Sequence, residues 1–551
     1  MLTPRDAAPD TDKLPAGAPS LGQSVGRGLS WMVAGTLLAK GAAFLTQVVL
    51  GWMLSQGDFG VYGTALAVSG LVGIFRDGGV REYLVQRGAA EYRALLGPVF
   101  WLAVTLSLAT GAVLAACSPL LARLYGDDRL VALLLVIAAS LPLSTPAAVL
   151  QTRLRVELRF GVLSRIAVVS SALRAGLTIL LALLGFGPMS FVLPLFGIAL
   201  YEGVAAYAAT RDRPWRLPAR VRTWGGLLAR TKWLVFSSLA GIVLDFGAFA
   251  VLALIVDEGV VGVFYFALNL VAQVGVLLSF NVQQVLFPAL ARLGDEPDRL
   301  REASLRALRA LMLAGSAVSL LLAAVADPLE AFLWQGRWEA AVPAIQVLGV
   351  LFPFRVSFGL TAAVMLAEGR FRRYSVLTLL EGLAITAGAA VAAALVGSAT
   401  TIALGAGLVM AAGRAAVTGI ELGRLGAPPP RTAAAMAPWW LLALGSAAVA
   451  LLLDRAAGPG LEALLPSGSP GGGRAPLLAL LAVQAVRGSL IAAAFLALFA
   501  GGARLLLPGP LADALAVGPA RAARVARRAL RLPEPGPAPA GDRVGSVPDE
   551  A

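Results

Sequence analysis

WMVAGTLLAKGAAFLTQVVLGWMLSQGDFGVYGTALAVSGLVGIFRDGGV, residues 31–80, decides the fold class. It reads as two apolar runs of about twenty residues on either side of a short polar turn at Ser55 to Asp58. At about 1.5 Å per helical residue, each run covers the roughly 30 Å of hydrocarbon in a bilayer. Gly and Ala recur inside both runs, as expected where membrane helices pack closely. The runs are too long, and too often interrupted by Gly or Pro, for barrel strands.

The same pattern continues outward from this stretch to Leu507. Of 551 residues, 58% are hydrophobic and 14% charged, and the mean hydropathy is +0.80. A soluble chain of this size needs a charged surface that is missing here. The sequence predicts an all-α integral membrane protein with about fourteen transmembrane helices. Their expected positions are 29–53, 60–80, 95–117, 130–151, 162–184, 188–209, 233–256, 260–282, 305–325, 342–366, 374–396, 400–420, 436–453 and 480–507. No cleavable signal peptide is read in the polar first 30 residues. The first permanent span is expected from Trp31 onward.

Charge supplies an independent test. The loops after even-numbered spans (76–93, 153–165, 211–232, 292–309, 370–373 and 424–431) hold 25 Lys and Arg, against five in the loops after odd-numbered spans. Basic loops stay cytoplasmic, which puts both termini inside. The net charge of +13 then reflects topology; no basic soluble module exists to bind nucleic acid. There is no His, and the single Cys117 cannot form an internal disulfide. A His-ligated metal and a conventional nucleophile triad are thereby excluded. No phosphate-binding loop for ATP is present, so no cofactor and no enzyme activity are expected.

The chain also repeats. At a shift of 202 residues Trp31 meets Trp233, Gly60-Val61-Tyr62 meet Gly262-Val263-Phe264, and Ala65-Leu66 meet Ala267-Leu268. At 211, Pro142 meets Pro353, Arg159-Phe160 meet Arg370-Phe371, and Ser164 meets Ser375. Six spans separate the copies, and an even number restores orientation. The expected domains are a polar tail (1–28), an N-lobe (29–210), a basic linker (211–232), a C-lobe (233–423), two further spans (424–507) and a basic Pro-rich tail (508–551). Parallel repeats of this kind place a substrate site between lobes near the midplane.

The segment Ser30 to Arg87 carries a family resemblance. Trp31, the Gly57-Asp58-Phe59-Gly60-Val61-Tyr62 turn, and Phe75-Arg76-Asp77-Gly78-Gly79 followed by Leu84-Val85-Gln86 resemble the start of the polysaccharide transporter family. These are Wzx-type oligosaccharide flippases of the multidrug/oligosaccharidyl-lipid/polysaccharide exporter superfamily. The resemblance continues in outline over 30–450. It implies a V-shaped pair of lobes, similar in fold to the lipid II flippase MurJ and the MATE exporters, working by alternating access. It also implies a bacterial inner-membrane location and an undecaprenyl-diphosphate-linked oligosaccharide as cargo, for exopolysaccharide or O-antigen assembly. Partners expected beside the bilayer are a polysaccharide polymerase and co-polymerase. The competing readings are a cation-coupled small-molecule exporter, a membrane polymerase or ligase, and a non-transporting scaffold. The short external loops, such as the few residues around Asp58, argue against an enzyme.

A flippase for an anionic head needs a cationic cavity, and charge in the bilayer centre costs about 3 kcal/mol, so such residues point to function. Lys40, Arg174 and Arg355 are the expected substrate-binding bases, with a structural ion pair as the alternative for each. Arg414 and Arg487 lie nearer helix ends or outside the repeat and are expected to snorkel. Asp245, in the repeat position of Ala43, is an ion-coupling candidate or a partner facing Lys40. Glu202 and Glu381 are weaker coupling candidates. Arg76, Asp77 and Arg81 either catch the incoming head group or form a hydrogen-bonded turn. Trp101, Trp334, Trp338, Trp439 and Trp440 sit near span ends and read as interfacial anchors. Arg521, Arg524, Arg527, Arg528 and Arg531 fall at helical spacing, suited to an anionic leaflet.

Overall fold

The computed structural model describes residues 21–273, 296–462 and 474–516. The arginine series 521–531 and the end of the eighth expected span therefore lie outside the described residues. Helices account for almost all regular structure: α1 Leu21–Met53, α2 Gln56–Gly73, α3 Val80–Tyr125, α4 Arg129–Val156, α5 Phe160–Leu183, the short α6 Met189–Val192 and α7 Pro194–Thr210. The second half continues with α8 Trp224–Leu252, α9 described over Glu258–Gln273, α10 Pro297–Leu333, α11 Val342–Leu351, α12 Pro353–Ala367, α13 Phe371–Leu395 and α14 Ala399–Arg424. Last come α15 Pro429–Glu462, α16 Arg474–Leu506 and α17 Pro508–Ala516.

Among the described residues, 11 helices are long and apolar enough to cross a membrane, and 12 if α11 and α12, bent by 43°, count as one span. Two shorter apolar helices, Leu38–Met53 and Glu258–Gln273, occupy the first and eighth expected positions. The expected second span, 60–80, is corrected at both ends. Helix α2 begins at Gln56 because Ser55 and Asp58 form a reciprocal capping box, Ser55 Oγ accepting from Asp58 N (3.1 Å) and the Asp58 carboxylate from Ser55 N (2.9 Å). It stops at Gly73, and the chain reverses through a 3-10 turn, Ile74–Arg76, into Gly78 (φ +57°) and Gly79 (φ +71°). Those dihedrals lie where a Cβ is penalised.

Packing follows sequence halves. In the first, α3 lies on α4, α4 on α7, and α1 on α5; in the second, α13 lies on α8 and α14, and α11 and α12 on α14. Helices α15 and α16 pack together and on α10. The halves are in close contact where α2 and α9 cross: a Cβ on Gly60 would overlap the Glu258 carbonyl, and one on Gly262 would overlap the Gln56 carbonyl. Gly60 and Gly262 are the same residue in the 202-residue register.

A second match lies at the 211-residue register. Glu157-Leu158-Arg159-Phe160 and Glu368-Gly369-Arg370-Phe371 make the same corner. Leu158 (φ +54°) and Gly369 (φ +70°) are both left-handed. Arg159 N donates to Leu154 O, and Arg370 N to Met365 O, each at 2.8 Å. Proline behaves differently in the two copies. Pro142 sits inside a continuous α4, whereas Pro353 opens α12 at the 43° bend; proline removes a helical hydrogen bond and crowds the preceding turn.

The tryptophan anchors are largely corrected. Trp334, Trp338 and Trp439 are fully buried. Trp334 Nε1 donates to Val48 O (3.1 Å) and Trp338 Nε1 to Gly51 O (2.9 Å), so both rings fasten α1 to the second half. The buried Glu330 carboxylate holds their loop by accepting from Gly336 N (3.2 Å) and Trp338 N (2.8 Å). Trp440 Nε1 donates to Val350 O (2.8 Å) and Trp101 Nε1 to Leu217 O (2.9 Å), contacts within the protein. Cys117 is a free, half-buried thiol.

Candidate functional site

A cavity of about 260 Å³ opens between the halves. Thr46 and Gln47 reach it from α1, Phe59 and Tyr62 from α2, Arg174 and Thr178 from α5, and Tyr265, Asn269 and Gln273 from α9. Its walls are aromatic and amide-bearing. Tyr62 stacks on Phe191 (centroids 4.0 Å, 6°), and Phe59 meets Phe191 edge-on at 5.3 Å. Gln47 is fixed by donating from Nε2 to Phe266 O (3.1 Å) across the halves.

Arg174 lines this cavity and makes no hydrogen bond or ion pair among the described residues. Lys40 lies between Ala39 and Ala43 on α1, both of which line the cavity, and it too has no such partner among the described residues. Helix α1 packs on α5, so both cations lie on the helix pair that forms one wall of the cavity. Lys40 is half-buried and Arg174 exposed on the cavity side of α5.

The other expected bases are paired. Arg355 Nη2 bonds Asp245 Oδ1 at 2.9 Å. Two separate expectations, a substrate base and a coupling acid, thus meet in one ion pair, and Asp245 is occupied by Arg355 rather than by Lys40. The pair remains open to approach, with 29% of the Arg355 side chain and 53% of that of Asp245 exposed. The snorkelling expected of Arg414 is corrected: its side chain is 3% exposed, bonds Glu381, and lies over the Phe358 ring at 4.3 Å. The opposite carboxylate is on the adjacent helix at the same depth, so reaching for the surface would break the pair. Arg487 likewise does not snorkel, since Asp454 grips it with two bonds of 2.7 Å and Asp327 lies at 3.0 Å. Glu202 accepts from Ser170 Oγ (2.8 Å) and Gln151 Nε2 (3.2 Å), with neutral donors.

At the turn after α2, Asp77 accepts from Gly79 N (3.0 Å) and pairs with Arg81. That is the hydrogen-bonded turn, one of the two expected alternatives, and it leaves Arg76 without an ion pair among the described residues. At the opposite end of α2 an ion-pair cluster joins the halves. Arg129 bonds Glu258 (2.6 Å) and Asp127 (2.8 Å) and lies 3.6 Å from Asp58. Burial favours a neutral Asp127, but the hydrogen bonds from Arg129 outweigh it and hold that carboxyl below its ordinary range. The ties to Asp58 and Glu258 were not legible in sequence, because Arg129, Asp58 and Glu258 stand in the first turns of α4, α2 and α9, whose approach depends on helix packing.

A family model described as polysaccharide biosynthesis protein matches residues 49–343. The chain belongs to that family. The polysaccharide biosynthesis match spans the cavity walls contributed by α2, α5 and α9 but not Lys40, Arg355 or Arg414. Among curated relatives, the teichuronic acid biosynthesis protein TuaB of Bacillus subtilis is 26% identical over 355 residues, covering 64% of this chain and 73% of TuaB. The succinoglycan biosynthesis transport protein ExoT of Rhizobium meliloti is 28% identical over 346 residues, 60% of this chain and 67% of ExoT. Among solved structures, the lipid II flippase MurJ in an inward closed conformation superposes with a TM-score of 0.64 at 12% identity, over 85% of this chain and 98% of MurJ. This polysaccharide biosynthesis protein is therefore a multi-pass membrane protein with a MurJ-like fold.

Proposed function

We propose that the chain is a flippase, moving an undecaprenyl-diphosphate-linked oligosaccharide across the bacterial inner membrane by alternating access, for exopolysaccharide or O-antigen assembly. The observation that carries this is Arg174, an exposed cation on α5 that lines the cavity and has no ion pair among the described residues. A diphosphate supplies the missing charge, and guanidinium can grip it with paired hydrogen bonds. Lys40 adds a second positive charge as a compact point source. The amides and aromatic rings around them suit sugar hydroxyls and ring faces. The accessible Arg355–Asp245 pair offers a third base, released when phosphate competes with the carboxylate.

The membrane reading carries further. Fourteen spans are counted when the two shorter apolar helices, α1 and α9, and the bent α11–α12 pair each cross. Two parallel six-helix lobes plus α15 and α16 follow from the repeat and are supported by the paired corners at Leu158 and Gly369. With basic loops cytoplasmic, the Arg129 cluster lies outside, and the chain is closed on that side. Transport then requires separation of Glu258 from Arg129 and of Gly262 from Gly60. No chemical step is assigned to the chain; gradients or substrate concentration drive the movement.

The test is export and abundance measured on the same cells. Arg174→Ala abolishes surface polysaccharide, with lipid-linked oligosaccharide accumulating inside and the protein at normal abundance. Normal export by Arg174→Ala at wild-type abundance defeats the assignment. Reporter fusions after Asp58, Gly187 and Ser398 read outside, and those within 211–222 and 424–431 inside; reversal at two sites defeats the topology.

A further inference from the structure

The segment joining the halves, residues 211–223, differs from a solvated linker. Its only regular structure is two 3-10 turns, Pro214–Arg216 and Val221–Thr223. It is nevertheless tied down along its length. Asp212 pairs with Arg153 and accepts from the Tyr92 hydroxyl (3.3 Å). Trp101 Nε1 donates to Leu217 O (2.9 Å), and Trp224 Nε1 to Ala219 O (3.0 Å). A Cβ on Gly97 would stand 2.8 Å from Leu217 Cβ and from the Pro218 carbonyl oxygen, so α3 lies directly against this backbone.

One side of the segment is therefore anchored to the bundle. The segment also carries exposed Trp215, which meets the Tyr207 ring at 5.6 Å, and exposed Val221, interleaved with exposed Arg211, Arg213, Arg216, Arg220 and Arg222. None of these five arginines makes an ion pair among the described residues, although Arg213 donates to the Tyr207 hydroxyl (3.2 Å). Topology alone asks only for positive charge. It does not ask for an indole and an aliphatic side chain between the charges, nor for a segment held at Asp212, Leu217 and Ala219. Alternation of apolar bodies with guanidinium heads suits the boundary of a bilayer, where the bodies enter the acyl edge and the heads stay with the phosphates.

We propose that residues 211–223 form an in-plane strap in the headgroup layer that binds anionic phospholipid. Arg216, Arg220 and Arg222 hold the headgroup phosphates, and Trp215 and Val221 seat beneath them. The site is separate from the cavity, and it stands whether or not the transport reading does. Because the strap is the sole described connection between α7 and α8, bound lipid fixes the level at which the two halves are joined to the membrane.

The experiment titrates phosphatidylglycerol or phosphatidylcholine into the purified full chain and counts bound lipid by native mass spectrometry. Binding of phosphatidylglycerol is expected over phosphatidylcholine. The triple variant Arg216→Gln, Arg220→Gln, Arg222→Gln should weaken it roughly 100-fold, at about fivefold per basic side chain near an anionic surface. The triple Lys variant should retain most of the affinity, and its melting temperature checks folding. Trp215→Phe should remove a share of the fluorescence quenching caused by brominated phosphatidylglycerol. The control pair Arg424→Gln, Arg431→Gln, on either side of the α14–α15 connection, should leave binding within about twofold. Equal binding of the two lipids overturns the proposal. So does an equal loss in strap and control variants, which would make the charge diffuse. Displacement of the lipid by glycerol phosphate overturns it too, since the site would then be one for free phosphate.

Discussion

Lys40 and Arg174, on α1 and α5, stand without a carboxylate partner among the described residues, whereas Arg355 and Arg414, on α12 and α14, each have one. Glu202 in the first half is likewise held by neutral donors, while Asp245 and Glu381 in the second each face an arginine. The halves share corners and a crossing glycine, so the difference is not one of architecture. It is one of charge balance. A charge inside hydrocarbon costs about 3 kcal/mol, and a partner removes most of the cost by neutralising it. The second half pairs its charges and uses them to hold helices together. The first half leaves Lys40 and Arg174 without an ion-pair partner among the described residues, and on the proposed reading a ligand makes up the deficit.

The largest expected effect falls on the closed pair. Arg414→Ala leaves the Glu381 carboxylate buried and alone, at a cost of about 3–5 kcal/mol, and membrane abundance should collapse. Replacing both, Glu381→Leu with Arg414→Met, should restore most of the abundance, because well-packed apolar residues substitute for buried pairs at little cost. Full abundance in the single variant would break the comparison.

The open cations predict the opposite signature. Lys40→Ala removes an uncompensated charge, so abundance should hold or rise while export falls at least about tenfold, the loss of one charge-assisted contact of roughly 1.4 kcal/mol or more. Low abundance with normal specific export would place Lys40 among the structural pairs instead.

Arg355 lies between these cases and sharpens them. Arg355→Ala should reduce export with a moderate loss of abundance, because the Asp245 carboxylate it abandons is half exposed. Arg355→Lys should recover part of the export. In a double-mutant cycle with Asp245→Asn, the two should couple by about 0.5–3 kcal/mol in melting experiments. Strict additivity would mean that the pair contributes nothing.

The smallest effect uses the shared corner. Leu158 holds a left-handed conformation that Gly369 adopts freely in the other half. Leu158→Gly should therefore stabilise by about 1 kcal/mol, and Gly369→Leu should destabilise by a similar amount. Both are read as shifts in melting temperature; stabilisation by Gly369→Leu would show that the corners differ.

Span placement was legible because apolar length and loop charge are both local. Within the described residues each expected span overlaps a helix, 11 or 12 of them long and apolar enough to cross, and the misplaced ends of the second trace to a capping box and a glycine pair whose signals, Ser55 with Asp58 and Gly78-Gly79, were present. The charge pairs were not legible. Glu381 and Arg414, like Asp454 and Arg487, are 33 residues apart on neighbouring antiparallel helices, and their meeting depends on helix rotation, which hydropathy does not encode. Trp334 and Trp338 misled for a related reason. Their positions near a span end are those of membrane anchors, but Glu330 folds their loop inward, and no pattern in the Trp334 to Trp338 sequence announces it.

The crossing of Gly60 with Gly262 has a geometric consequence. A residue meets its own counterpart only on a two-fold axis, which is the defining contact of an isologous dimer interface. On the two-lobe reading, the chain is a covalent dimer of six-span units whose axis passes through this glycine pair. In a true homodimer, any side chain added there would enter twice and clash with itself. In a fused chain each glycine can be tested alone. Gly60→Ala and Gly262→Ala should both wedge the same end open, and unequal effects would measure how far the two halves have departed from symmetry.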